Sequence, residues 1–187
     1  MRKFWVTLVF LLMAIIAYAQ ANNKYKFELK TNLLNLIAVG PSVALEYKLK
    51  ENKSVMFSLA SGHIDYGDFG GITRYKTATF EFRHYFYDNI VFIGPYLKNI
   101  NKRVFWEQSF ISGSIPFTIG QNRDFAGYGL SAGASFGIKF VLISKFNVDI
   151  NSQLGYGRFY KMIDKYANLP SGNYFDTRIG IWFGYVL

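Results

Sequence analysis

The sequence predicts an all-β fold, an eight-stranded antiparallel up-and-down transmembrane β-barrel. Three observations carry this prediction. Apolar and polar residues alternate with a period of two in eight segments. The connections between these segments sort by parity into a short set and a longer set. The final segment, Arg178 to Leu187, turns one apolar, aromatic-rich face outward. All three features are typical of transmembrane β-barrels.

The beginning of the chain has the three parts of a secretory signal peptide. A basic start at residues 2–3 precedes an apolar run at residues 4–16 and a small-x-small cleavage site at residues 17–19. The apolar run is shorter than the ~20 residues that a spanning helix needs, so we expect cleavage rather than retention as an anchor. Residues 1–19 are therefore predicted to be a cleaved signal peptide, and residues 20–187 a single outer-membrane β-barrel domain.

Composition narrows the class of protein. Hydrophobic residues make up 51% of the chain and aromatic residues 19%, which is rich for a soluble exported domain. There is no cysteine, and hence neither a disulfide framework nor the lipidated cysteine of a lipoprotein. The formal net charge is +9. For an exported barrel, we expect this charge to meet lipid phosphates and anionic sugars rather than nucleic acid.

The first four segments each combine an apolar face with a more polar one. In the second, Val43, Leu45 and Tyr47 alternate with Ala44 and Glu46. The third repeats this pattern, and in the fourth three phenylalanines alternate with threonine, glutamate and arginine. The expected bounds of these segments are Tyr25–Ile37, Ser42–Leu49, Ser54–Ala60 and Tyr75–Tyr87.

The last four segments continue the alternation. The fifth contains Pro95, which lacks a ladder donor, so we expect a bulge or a local irregularity there. The sixth opposes apolar side chains to a row of glycines and serines, and the seventh opposes them to asparagine, aspartate and glutamine. The expected bounds are Asn89–Lys98, Phe125–Phe140, Phe146–Arg158 and Arg178–Leu187.

The connections favour a barrel with both termini in the periplasm. The second, fourth and sixth are short, at Lys50–Lys53, Tyr87–Asn89 and Ser144–Lys145. The third, fifth and seventh are longer, at Ser61–Arg74, Asn99–Asp124 and Lys161–Gly172. An even-stranded membrane barrel requires this sorting of tight periplasmic turns and longer external loops. The first connection, around Gly40-Pro41, is expected to be an exception to this sorting, because it is odd-numbered but short.

A soluble, lipocalin-like barrel is the alternative fold, with its apolar faces directed inward around a ligand. The positions of the aromatic residues argue against it. They lie towards strand ends on the apolar faces, as in an interfacial girdle. These residues are Phe80, Phe82, Phe86, Tyr128, Phe183 and Tyr185. The expected location is therefore the outer membrane of a Gram-negative bacterium.

Several short motifs resemble those of small outer-membrane barrel proteins that form a domain-of-unknown-function family. They are Lys30-Thr-Asn-Leu-Leu34, Pro41-Ser-Val-Ala-Leu-Glu-Tyr47, Glu81-Phe-Arg-His-Tyr-Phe86, Gly127-Tyr-Gly-Leu-Ser-Ala-Gly133 and Gly155-Tyr-Gly157. The resemblance spans most of the chain after the signal peptide. It implies an outer-membrane barrel without an assigned reaction and supplies no catalytic residues.

If the apolar faces meet lipid, the opposite faces carry charges of both signs into the lumen. The predicted set is Lys30, Glu46, Glu81, Arg83, Lys98, Asp149, Asp176 and Arg178. An eight-stranded barrel has an interior just wide enough for side chains, so we expect these charges to pair and fill it. The alternative is a narrow gated pore in which Glu81, Arg83 and Arg178 exchange partners.

Candidate catalytic groups are few. His63 lies near Asp65 and Asp68 in the expected third connection, and His84 lies on the apolar face of the fourth segment. Because a polar loop and an interfacial histidine explain these residues, we expect no catalytic site, no cofactor and no metal site. A lipid-handling outer-membrane enzyme remains an alternative function.

The expected fifth connection is apolar for an external segment. Its residues Phe105, Trp106, Phe110 and Phe117 either fold over the barrel mouth or form a surface-recognition loop for an extracellular protein or glycan. The basic cluster Lys98, Lys102 and Arg103 is expected to meet lipopolysaccharide phosphates at the rim.

The sequence therefore predicts a structural or surface-recognition protein with a side-chain-filled lumen. Its expected partners are outer-membrane lipid, lipopolysaccharide and the barrel-assembly machinery. The terminal strand resembles the signal that this machinery recognises, with Leu187 in place of the usual aromatic residue.

Overall fold

Eight antiparallel strands close into a barrel in the computed structural model, which describes residues 27–65, 71–106, 123–143, 145–164 and 172–187. Each strand pairs with its neighbour in chain order, and the last strand pairs with the first. The strands are β1 (Phe27–Asn32), β2 (Ser42–Lys50), β3 (Lys53–Asp65), β4 (Gly71–Phe86), β5 (Val91–Trp106), β6 (Arg123–Ile143), β7 (Phe146–Asp164) and β8 (Asn173–Val186). The predicted fold class is confirmed. The predicted signal peptide lies outside the described residues.

The first strand is shorter than expected because a helix follows it. β1 ends at Asn32, and the helix α1 (Leu34–Ile37) occupies the end of the predicted first segment. Asn32 Oδ1 accepts a hydrogen bond from the Leu34 amide at 3.0 Å, which turns the chain out of the strand. Residues 33–41 thus form the first connection, and the expected short exception at Gly40-Pro41 is wrong.

Connections two, four and six define one end of the barrel, called the turn end, and span residues 51–52, 87–90 and 144–145. The other connections lie at the opposite end, called the loop end, and span residues 33–41, 66–70, 107–122 and 165–172. The expected third and fifth connections are too long, because β3, β4 and β5 extend well beyond the alternating apolar segments. Phe105 and Trp106 consequently belong to β5 rather than to a loop.

The outward face of the barrel is apolar and the inward face is polar. Large outward side chains that remain exposed include Phe57, Leu59, Phe80, Ile93, Leu97, Leu130, Phe136, Ile150, Leu154 and Ile179. The buried set is rich in charged, amide and hydroxyl groups, and its apolar cluster contains Ala44, Met56 and Trp182. This arrangement inverts that of a soluble protein, so the lipocalin-like alternative is wrong. No helix among the described residues is long and apolar enough to cross a membrane.

Pro95 interrupts one of its two ladders. Strand β5 pairs continuously with β6 through Pro95 and Ala134. Against β4, the pairs stop at Glu81–Tyr96 and resume at His84–Ile93 in the same register. The expected irregularity is therefore a local loss of pairing without a bulge, since proline has no N–H to donate.

The glycine row on β6 allows a close approach of neighbouring strands. A Cβ on Gly133 would collide with the Leu154 carbonyl and with the backbone of Gly155 on β7. The absence of a side chain here keeps the two strands at hydrogen-bonding distance.

Candidate functional site: the charged lumen

Inward positions on four strands bring together a central group of fully buried charges. Lys30 comes from β1, Glu46 from β2, Glu81 and Arg83 from β4, and Asp149 from β7. Alternation along each strand directs all five side chains into the barrel. We call these residues, together with Glu28 and Lys139, the lumen charge network.

Lys30 lies among three carboxylates. Its Nζ is 2.5 Å from Asp149 Oδ2 and 3.1 Å from Glu28 Oε2, and it also contacts Glu46 Oε2. Three donors on one ammonium match these three acceptors. The side chain therefore joins β1, β2 and β7 across the lumen.

Arg83 makes the second set of bridges. Its Nε donates to Glu81 Oε1 at 2.5 Å, and its Nη1 donates to Asp149 Oδ2 at 2.6 Å and to Glu46 Oε2 at 3.2 Å. The guanidinium lies 4.2 Å from the centroid of the Phe92 ring, a cation–π distance. Because Asp149 Oδ2 accepts from both Lys30 and Arg83, the two cations belong to one connected network.

Neutral donors add further hydrogen bonds to the carboxylates of Glu46 and Glu81. The Tyr85 hydroxyl donates to Glu46 Oε1 at 2.5 Å, and the Ser54 hydroxyl contacts the same oxygen. Gln153 Nε2 donates to Glu81 Oε2 at 2.7 Å. Such additional bonds are what allow charges to remain buried without water.

Lys139 extends the network towards the turn end. Its Nζ lies 2.5 Å and 2.7 Å from the two oxygens of Glu28. Sequence reasoning missed both residues, although the signal was present. Glu28 is two positions before Lys30, and Lys139 continues the small-residue face of β6.

A second, smaller cluster lies nearer the loop end. Lys98 Nζ is 2.8 Å from Asp176 Oδ1, while the hydroxyls of Tyr96 and Ser131 donate to Asp176 Oδ2 at 2.8 Å and 2.5 Å. Arg178 lies 5.5 Å from the centroid of the Trp182 ring and makes no ion pair with any residue that the structure describes. It does not contact Glu81 or Arg83, so the three residues of the hypothetical gate are not assembled into one contact.

The lumen charge network, the Lys98–Asp176 pair and Arg178 together carry equal numbers of positive and negative charges, and the buried centre of the network lies between two cavities. The cations are Lys30, Arg83, Lys98, Lys139 and Arg178, and the anions are Glu28, Glu46, Glu81, Asp149 and Asp176. A cavity of about 520 Å³ opens at the turn end, and one of about 280 Å³ lies at the loop end beside Arg178. The two cavities share no lining residue, and the buried side chains of Lys30, Glu81, Arg83 and Asp149 lie between them.

The histidines lie outside the lumen network. His63 belongs to β3, opposite Arg74 of β4, and not to a loop as expected. His84 packs its ring edge-on against Phe86 on the outward face, with centroids 4.6 Å apart. Asp68 lies outside the described residues. Within the described ranges, no group of three histidine or acidic side chains is arranged to hold a metal ion.

Two expectations for the rim require correction. Lys98 is 2% exposed and paired with Asp176 inside the barrel, so it cannot form a rim cluster with Lys102 and Arg103. Phe105 and Trp106 are strand residues, while Phe110 and Phe117 of the expected recognition loop lie outside the described residues. Arg103 does face outward and forms an exposed ion pair with Asp124 at 3.3 Å.

Comparisons with known proteins agree with this architecture. A family model described as a protein of unknown function (DUF3575) matches residues 6–186. The crystal structure of Neisserial surface protein A aligns with a TM-score of 0.52 and 8% identity, over 88% of this chain and 98% of that one. The N-terminal β-barrel domain of Pseudomonas aeruginosa OprF aligns with a TM-score of 0.41 and 13% identity, over 87% and 98% of the two chains. No curated protein sequence matches significantly.

Proposed function

Since the chain belongs to the DUF3575 family of proteins of unknown function, we propose a function from the barrel itself. The protein is a non-conducting barrel of the outer membrane that serves as a structural and surface-recognition element. The observation that carries this proposal is the fully buried centre of the lumen charge network, which lies between the two cavities and consists of Lys30, Glu81, Arg83 and Asp149.

The apolar outward face supports the membrane location. Exposed leucine, isoleucine and phenylalanine side chains surround the barrel on β3 to β8. Each such side chain would lose about 1.5–3 kcal/mol of burial free energy if it faced water. A lipid environment removes this cost, and a closed ladder leaves no strand edge unpaired in lipid.

The packing of the network argues against a pore. An ion crossing the barrel would have to displace Lys30 or Arg83, whose side chains are fully buried and bonded to three carboxylates each. Leaving one buried charge unpaired costs about 3–5 kcal/mol. Because of this barrier, we interpret these residues as a permanent plug and not as a gate whose ion pairs exchange partners.

The loop end supports a recognition role. Strand β5 extends beyond the apolar band to Trp106, and the connection that follows it, residues 107–122, is the longest. We propose that this segment, with Phe105 and Trp106 at its base and Phe110 and Phe117 within it, contacts an extracellular protein or glycan. Deletion of residues 108–121 should leave insertion into bilayers intact and abolish binding of cells or glycans by the protein. Unchanged binding would exclude the recognition role.

Planar-bilayer recording tests the closed lumen. The wild-type protein should insert and produce no current steps. The variant Lys30→Ala/Arg83→Ala removes the two bridging side chains and should produce small steps, because water can then join the two cavities. Lys50→Ala/Lys53→Ala, at the turn end, removes the same formal charge outside the network and should stay silent. Reproducible steps from the wild-type protein would contradict the proposal.

A further inference from the structure

Four basic side chains lie together on the outward face near the loop end. They are His63 on β3, Arg74 and Lys76 on β4, and Arg103 on β5, and we call them the basic patch. In the ladders, Arg74 is directly opposite both His63 and Arg103. Three adjacent strands thus contribute to one surface.

The basic patch lies above the apolar band, with a polar interval between them. Towards the turn end, the next outward residues are Ser61 and then Leu59 on β3, Ala78 and then Phe80 on β4, and Asn101, Asn99 and then Leu97 on β5. Phe80 is six residues from Arg74 and Leu97 is six from Arg103, so both arginines lie about 20 Å along their strands beyond the large lipid-facing side chains, and nearer along the membrane normal because strands in membrane barrels are tilted. This is the level at which lipid headgroups would meet the barrel.

The patch has more positive than negative charge. Like charges directly opposite each other on one sheet face destabilise the pairing, and Arg74 and Arg103 are such a pair. Among the residues that the structure describes, Asp124 compensates Arg103 at 3.3 Å, whereas Arg74 and Lys76 have no ion pair. A bound anion would remove this repulsion.

A cavity and an unpaired nitrogen accompany the charges. A space of about 350 Å³ is lined by His63, Arg74, Lys76 and Arg103, with Ser61 and Asn101 beside them. His63 Nε2 is buried and has no hydrogen-bond partner. The cavity therefore offers a cationic wall of Arg74, Lys76 and Arg103, together with neutral polar groups, to a compact anion such as a phosphate.

We propose that the basic patch binds the phosphate of a phosphorylated glycolipid headgroup in the outer leaflet. The acyl chains would lie against the apolar band below it, on Leu59, Phe80 and Leu97. The inference rests on the proposed outer-membrane location. The basic patch takes the place of the predicted rim cluster of Lys98, Lys102 and Arg103, because Lys98 is buried in the lumen.

Lipid binding by charge-matched variants tests the patch. Full-length wild-type protein in detergent is titrated with a bis-phosphorylated lipid A-type glycolipid, with its dephosphorylated form and with inorganic phosphate, and bound species are counted by native mass spectrometry. Arg74→Gln/Arg103→Gln should weaken binding of the phosphorylated glycolipid about tenfold, as expected for the loss of charge-assisted hydrogen bonds. Lys50→Gln/Lys53→Gln removes another pair of facing cations at the turn end and should leave binding unchanged.

The outcomes separate this inference from the proposed function. Equal glycolipid binding by wild type and Arg74→Gln/Arg103→Gln would overturn the patch. Binding of inorganic phosphate as tight as that of the glycolipid would also overturn it, in favour of a site for a free anion. Flotation of the same proteins with lipid vesicles reports the membrane location independently. Wild-type protein that does not float would contradict the proposed function. Protein that floats, but whose glycolipid binding is unchanged by Arg74→Gln/Arg103→Gln, would contradict the patch alone.

Discussion

At the scale of single residues, most charges of the lumen pair with one another, and neutral tyrosine, serine and glutamine side chains supply further hydrogen bonds. Period-two alternation was sufficient to predict which face each charge occupies, because one neighbour in the sequence reveals the orientation of the next. It could not predict the contacts. Whether Arg83 pairs with Asp149 or with Asp176 depends on how the strands are staggered around the barrel, and the sequence of a single strand does not reveal this stagger.

Aromatic residues also lie on the inward face. Tyr85, Tyr96 and Trp182 are buried, and each points a polar atom at the lumen. By type they resemble the outward aromatic residues of an interfacial girdle. Their parity along the strands places them inward, and their hydrogen bonds to Glu46, Asp176 and Asn151 satisfy their polar atoms there.

Loss of a bridging charge should destabilise the barrel strongly. Arg83→Met leaves Glu81, Glu46 and Asp149 without their shared cation, so we expect the free energy of unfolding to fall by about 3–5 kcal/mol. Urea unfolding in lipid vesicles measures it. Arg103→Met removes an arginine of an exposed pair and should cost at most about 1 kcal/mol. Equal losses for the two variants would mean that the network contributes no more than a surface pair.

Close strand approach at Gly133 should make that position intolerant of side chains. Gly133→Val places a Cβ against the β7 backbone, which cannot move as a flexible side chain would, and we expect a loss of about 1–3 kcal/mol. The adjacent Ala134 faces outward, so Ala134→Val should be nearly neutral. The same unfolding assay compares them. A tolerated Gly133→Val would show that β6 and β7 have room to separate.

At the scale of elements, the sequence predicted the existence and order of all eight strands but shortened most of them. β4 and β5 continue past the apolar band with outward residues such as Lys76, Arg74 and Arg103. There the outward residues are mostly polar while Ile100 and Val104 face inward, so the pattern of apolar residues outward and polar residues inward is lost. Their length is maintained instead by continuous ladder pairing with neighbouring strands.

The short helix α1 was missed because its stabilising contacts are not local. Asn35 donates to the carbonyls of Gly40, Pro41 and Ser61 at 2.9, 3.2 and 2.6 Å, and accepts from the Tyr75 hydroxyl at 2.7 Å. Two of these partners are on β3 and β4. A four-residue helix has little stability of its own, so such contacts decide its formation.

Removal of the Asn35 side chain should loosen the first connection. Asn35→Ala leaves three carbonyls with one donor fewer, and we expect a loss of about 1–3 kcal/mol together with faster amide exchange in residues 33–41. Hydrogen exchange followed by mass spectrometry measures it. Leu36→Ala, at a side chain that is 64% exposed in the same helix, serves as the control. Identical exchange in both variants would show that Asn35 does not organise this connection.

At the scale of the whole molecule, this closed barrel directs an apolar face outward and a charged face inward, and the proposed function places the apolar face in lipid. Pairing of β8 with β1 removes the last free edge. Inside the barrel, polar side chains replace the water that the charged groups lose on burial. Outside, in the proposed membrane location, lipid takes the place of the protein core against which apolar side chains would otherwise pack. The sequence predicted this inside-out arrangement correctly because both periodicity and loop parity reflect it.

Single-cysteine labelling tests this claim most directly, because the chain has no cysteine of its own. Leu130 and Ser131 are adjacent on β6, but Leu130 is 48% exposed on the outward face and Ser131 is 2% exposed in the lumen. In protein reconstituted into vesicles, a thiol reagent confined to the lipid should modify Leu130→Cys rapidly and leave Ser131→Cys unmodified. Equal modification, or preferential modification of Ser131→Cys, would contradict the membrane barrel.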